Sequence, residues 1–148
     1  MKTLIIYMSV HHGNTEKIAG KIGEVLDAEL KRAEEAKPEE LVNYDLIGFG
    51  SGIYFGKFHD SILKFIDSLP DMAGKKAFVF STHGSPAKGH NKEFIKILTQ
   101  KNFKVLGDYE CQGFDTYGPF GLIGGLAKGH PNDDDLKKAA EFAEKLLK

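Results

Sequence analysis

The chain has 148 residues, 41% hydrophobic and 28% charged, with a formal net charge of −1. That is the size and balance of one soluble globular domain spanning residues 1–148. The charge excludes a general nucleic-acid binder, which carries a basic excess, and the single cysteine, Cys111, excludes an internal disulfide and a cysteine-based zinc site. Cys111 reads as a small core residue. The N-terminal "MKTLIIYMS" has a short apolar stretch and no cleavage-site pattern, so a first strand is expected there rather than a signal peptide. No apolar run reaches membrane-spanning length, so neither membrane insertion nor export is expected, and the expected location is the cytoplasm.

In chain order, "TLIIYM" is a continuous apolar run of the kind that forms a strand buried on both faces. Ile18, Ile22, Val25 and Leu26 follow at helical spacing. "AELKRAEEA" predicts a short edge strand that Pro38 ends, and "DLIGFGS" a second buried strand. Ile62, Leu63, Phe65, Ile66 and Leu69 mark a helix stopping at Pro70. "KAFVFST" is a third strand, and Phe94, Ile95, Ile97 and Leu98 give the next helix. "FKVLGDYECQGFD" predicts a strand broken at Gly107, and a closing helix runs from about Asp133 to Leu147, acidic first and lysine-rich last.

Such alternation implies α/β architecture, a three-layer α/β/α sandwich with a parallel sheet covered on both faces. Five strands in the order 2-1-3-4-5 suit this length, and ligands then bind outside the carboxyl ends of the strands. Four loops fall there: Ser9 to Thr15, Ser51 to His59, Ser81 to Asn91, and Gly113 to Asn132. They hold all six histidines (His11, His12, His59, His83, His90, His130) and 11 of the 17 glycines. This edge is therefore expected to be the functional face.

The first of these loops, "SVHHGNTEKIA", supports two readings. A helix N-terminus presents unpaired N–H groups and partial positive charge, so the stretch can cradle a phosphate. Alternatively, Asn14 or Thr15 simply caps the helix. It is neither a Walker loop nor a GxGxxG dinucleotide loop, and the first strand lacks the paired acids of a phospho-acceptor domain.

"GNTEKIA" after the first strand, followed by "YDLIGFGSGIYFGKFHDSILKFI" and "FSTHGSP", resembles the flavodoxin family across essentially the whole chain. "SGIYFGKFHD" is also similar to the corresponding loop of flavodoxin-like protoporphyrinogen dehydrogenases and quinone reductases. The resemblance implies a bound FMN. Its phosphate would meet Ser9, His11, His12, Gly13, Asn14 and Thr15, two histidines standing where many members have hydroxyls. Gly52, Ile53, Tyr54, Phe55 and Gly56 would flank the flavin ring, with an aromatic stacked on it. A backbone carbonyl that turns over to meet N5–H needs tolerance of positive φ, for which Gly56 is preferred to Gly52. Ser81, Thr82, His83 and Gly84 would contact the pyrimidine side, and Phe114, Tyr117 and Phe120 of the fourth loop could cover the second face or seal a surface patch.

What the resemblance implies about function is a small low-potential carrier passing single electrons between redox partner proteins through the flavin semiquinone and hydroquinone. The alternative is an FMN-dependent oxidoreductase acting on a small-molecule acceptor, such as a quinone or a porphyrinogen-pathway substrate, with Tyr117 or His83 beside it. A binding module that has lost the flavin stands behind both. Lys57, Lys88, Lys128 and the histidines outnumber the nearby acids Asp60 and Asp115, which predicts a less basic partner or an anionic substrate than an acid-ringed flavin would take.

Overall fold

The computed structural model describes residues 1–9, 13–85, 88–113 and 129–148. In chain order the elements are β1 (Thr3–Met8), α1 (Asn14–Leu26), β2 (Glu29–Arg32), β3 (Leu46–Tyr54), β4 (Lys57–Phe58), α2 (Asp60–Asp67), β5 (Lys76–His83), α3 (Lys92–Gln100), β6 (Lys104–Gln112) and α4 (Asp133–Leu146). Two short 3-10 turns, Ala33–Glu35 and Pro38–Asn43, connect β2 to β3. The sheet order is β2-β1-β3-β5-β6, every neighbouring pair parallel, with β4 antiparallel to the end of β3. Setting that short hairpin strand aside, the parallel strands read 2-1-3-4-5 as expected. No helix among the described residues is long and apolar enough to cross a membrane.

Alternation along each strand divides the core in two, because successive side chains leave opposite faces. Leu4, Ile6, Ile47, Phe49, Ala77 and Val79 pack with Ile62, Phe65 and Ile66 of α2 and with Phe94 and Leu98 of α3. Ile5, Tyr7, Leu46, Phe78, Phe80 and Cys111 pack with Ile18, Ile22 and Leu26 of α1 and with Ala139 and Ala143 of α4. Burying both faces explains why the central strands are apolar without a break.

The glycines of "IGFGSG" serve this second face. Gly48 is paired with Phe78 and Gly50 with Phe80 across the strands. A Cβ on Gly48 would stand 2.2 Å from the Phe78 ring, and one on Gly50 would stand 2.1 Å from the Phe80 ring. Each aromatic ring therefore fills the space that its cross-strand glycine leaves.

Two expectations change at the boundaries. β3 runs on to Tyr54, so Gly52, Ile53 and Tyr54 lie in a strand rather than in the loop expected from Ser51. Ile53 pairs with Phe58, whose ring is buried and stacked on Phe94 at 4.1 Å. That burial rewards continuation of the strand. The break expected at Gly107 is a β-bulge: pairing steps from Ala77↔Val105 to Phe78↔Gly107, leaving Leu106 extra.

Candidate functional site

The carboxyl ends of β1, β3, β5 and β6 converge on one edge of the sheet. Gly13 holds the N-cap position of α1 in the left-handed conformation, φ 64°, and supplies no side-chain cap. Asn14 and Thr15 are thus the first two helical residues, both buried, and neither is the cap allowed for above. The Glu16 N–H donates instead to Ser9 Oγ at 3.3 Å. Since Ser9 Oγ is the acceptor there, its O–H is left to donate. Thr15 Oγ1 lies 2.8 Å from Thr82 Oγ1, tying the start of α1 to the end of β5. At the end of β6, Gly113 sits so close to Asn14 that a Cβ would stand 2.6 Å from the amide nitrogen.

The second segment is a two-residue hairpin. Phe55 at φ 53° and Gly56 at φ 78° make its tip, the sign pattern of a type I′ turn. Positive φ is costly for a bulky side chain, and the Phe55 side chain is also 85% exposed. Tyr54 folds back, its hydroxyl 2.7 Å from where a Gly52 Cβ would be, and its ring meets His59 edge-on at 5.3 Å. Ser51 Oγ accepts from the His59 N–H at 2.9 Å and donates to the Gly52 carbonyl at 2.6 Å, closing the hairpin base.

At the third position Ser81, Thr82 and His83 are buried strand residues, paired with β6 through Ser81↔Glu110, Thr82↔Cys111 and His83↔Gln112. The His83 carbonyl accepts from Gly113 N–H at 2.8 Å, and the Gly84 carbonyl from Gln112 Nε2 at 3.2 Å. These carbonyls are already engaged, so the backbone contact to a ligand expected from this segment is confined to its remaining groups. The His83 Nδ1–H donates to the Ser85 carbonyl, and Nε2 lies 3.3 Å from a Glu110 carboxylate oxygen. Burial pushes the His83 imidazole below its ordinary value; His90 pushes it the same way, and the Ser85 carbonyl and Glu110 oppose without reversing it.

The described histidines do not form one ring. His59 caps α2, accepting from the Ser61 N–H at 3.1 Å. His130 Nδ1 contacts Asp135 Oδ2 at 2.6 Å beside the Asn132 cap of α4. His83 and His90 stand together, ring centroids 4.2 Å apart. His11, His12, Phe114, Asp115, Tyr117, Phe120 and Lys128 lie outside the described residues. Lys57 and Lys88 are exposed. Sequence reasoning missed Ser51, Glu110 and the Thr15–Thr82 contact; the β5–β6 register, which sets Glu110 against Ser81, is the signal that reveals the second of these.

Residues 4–115 match the Flavodoxin domain. The chain belongs to the flavodoxin family. Flavodoxin 2 of Bacillus cereus superposes with a TM-score of 0.77 at 26% identity, over 99% of this chain and 98% of that one. A flavodoxin from the domain Archaea has a TM-score of 0.74 at 20% identity over the whole of both chains, a likeness of fold. An uncharacterized protein of Methanocaldococcus jannaschii is 53% identical over all of this chain and 99% of its own. An NAD(P)H dehydrogenase (quinone) of Archaeoglobus fulgidus is 31% identical over 80% of this chain and 69% of its own. In this flavodoxin-family chain the residues that could hold a flavin phosphate are Ser9, Gly13, Asn14 and Thr15, and those that could flank a ring are Tyr54, Phe55 and Gly56.

Proposed function

We propose that the protein binds FMN and carries single electrons between redox partner proteins. The observation that carries this reading is the Phe55–Gly56 tip. An exposed aromatic at positive φ incurs two local costs, which is the signature of a residue kept for a ligand or partner rather than for the fold. Gly56, φ 78° and with open space around its Cβ position, can turn its peptide over without a clash. Gly52, held in β3 against Tyr54, cannot do so as freely. The donor set at the start of α1 fits a phosphate: helix N–H groups, a Ser9 O–H that the Glu16 bond does not use, and a glycine where the backbone must come close.

FMN, when bound, supplies the one- and two-electron chemistry, and the protein orients it and sets its surroundings. Ser9 and the first turn of α1 would anchor the phosphate end. Tyr54 and Phe55 would exclude water from the ring by contact. Exposed Lys57 and Lys88 would favour an anionic or weakly basic partner over a strongly basic one.

The 31% identity to the A. fulgidus quinone dehydrogenase favours a second reading, a two-electron reductase of a small acceptor. An anaerobic reductive titration of FMN-reconstituted protein separates the two. A blue one-electron-reduced form building up midway supports the carrier. Direct bleaching from yellow to colourless, together with turnover of quinones, favours the reductase. Failure to retain FMN on gel filtration rejects both.

A further inference from the structure

We propose that His83, His90 and Glu110 form a binding site for a divalent transition-metal ion of the zinc class. One ligand atom from each of the three residues lies within 4.8 Å of the others, the one such group of His, Cys, Asp and Glu among the described residues. The inference is independent of flavin binding.

The two strands and the following turn bring these residues together. His83 ends β5, and Glu110 lies in β6 opposite Ser81, two positions before the His83 partner Gln112. His90 sits in the turn before α3, which is anchored to β6 on both sides of it. The Gly89 N–H donates to both Glu110 oxygens, at 2.9 and 3.0 Å. The Asn91 amide donates to Asp108 Oδ2 at 3.0 Å and to the Tyr109 carbonyl at 3.1 Å. Residues 89–91 are therefore fastened where they present His90 to the other two.

At the His83–Glu110 contact, lone pairs meet without a proton between them. Donation from Nδ1 to the Ser85 carbonyl fixes the His83 tautomer and leaves Nε2 as a lone pair. That nitrogen is enclosed by protein, makes no hydrogen bond, and faces a carboxylate oxygen 3.3 Å away. His90 Nε2 is likewise enclosed and makes no hydrogen bond. Buried polar atoms are normally satisfied, and here acceptor faces acceptor. A cation placed among the three residues gives the two unpartnered nitrogens and the facing carboxylate a common partner.

The donor set selects the ion. Calcium and magnesium take oxygen ligands, whereas imidazole suits zinc and its transition-metal neighbours. Two histidines and one glutamate with a fourth position left for water is a known zinc arrangement. A carbonyl on the far nitrogen of a ligating histidine is the usual outer support, and His83 has it in Ser85. Tetrahedral bonds of about 2.0–2.1 Å set the donors roughly 3.3 Å apart, so the pairs, all within 4.8 Å, need close by no more than about 1.5 Å.

The test uses the full chain after chelator treatment, titrated calorimetrically with Zn2+ and followed by visible difference spectra with Co2+. The expected result is one ion per chain, the intense absorbance of four-coordinate cobalt, and a rise in Tm with Zn2+. His90→Ala and Glu110→Gln should each weaken binding at least tenfold and abolish the Tm rise. Their metal-free far-UV circular dichroism should match that of the parent, since the Gly89 N–H still finds a carbonyl in the Gln variant. Absence of binding, binding indifferent to both substitutions, or a six-coordinate cobalt spectrum overturns the proposal.

Discussion

The hydroxyls of Thr15 and Thr82 lie 2.8 Å apart in the interior, fastening the first turn of α1 to the end of β5. Replacing either with valine keeps the shape and leaves the other hydroxyl buried and short of its partner. Each of Thr15→Val and Thr82→Val should cost about 1–2 kcal/mol, and the double substitution clearly less than their sum. Denaturant unfolding of the four proteins measures the coupling; strict additivity would show that the contact contributes nothing.

Phe55 is the most exposed large apolar side chain of the described residues and adopts φ 53°. A type I′ turn prefers Asn before Gly. Phe55→Asn should therefore raise stability by about 1 kcal/mol while weakening FMN binding by roughly threefold to tenfold, the worth of an aromatic contact. Thermal melts of the apoprotein and fluorescence titration with FMN check both halves. A variant that loses stability and binds FMN as the parent does would show that Phe55 is retained for the fold alone.

How much of this was legible beforehand depended on the range of the contacts involved. β1, β3 and β5 announce themselves because burial on both faces demands apolar runs, and the Gly107 break shows locally because a glycine inside a strand marks a bulge. Within the strand expected at "DLIGFGS", the role of Gly48 and Gly50 shows only when the register sets them opposite Phe78 and Phe80. The same holds for Glu110, which reaches His83 only across the β5–β6 pairing. The end of β3 was misplaced because Phe58 and Phe94, which reward the hairpin, come from other elements. The sequence groups His59 and His130 with the ligand face, yet each finds its partner within a few residues at a helix start.

Cys111, read from its solitude as a core residue, lies in the α1/α4 half of the core. Burial pushes its thiol up to about 12, with the charge of Asp135 acting the same way and Tyr109 opposing. At neutral pH almost no thiolate exists to react. Ellman's reagent should therefore leave the native protein unlabelled and label one thiol per chain in denaturant. Prompt labelling of the native state would mean that β6 opens readily at its carboxyl end.

Tyr44 links the edge strand to the centre of the sheet: two residues before β3, its hydroxyl donates to Glu29 of β2 at 2.6 Å. That bond pushes the phenol up to about 12, with burial and the Glu29 charge adding to it. The unfolded chain titrates at the ordinary value of 10.0, so above that pH it releases a proton that the native state keeps. The stabilisation is therefore complete below pH 10 and is lost as pH rises through about 12. Tyr44→Phe removes the linkage together with the bond. Its stability deficit against the parent, about 1 kcal/mol at neutral pH, should shrink between pH 10 and 12. Urea unfolding of both proteins across that window measures it, and a deficit that stays constant would mean that the Glu29 bond does not hold the phenol proton. Since among the described residues β2 pairs only with β1, loosening this bond should also speed hydrogen exchange in Glu29–Arg32 ahead of β3.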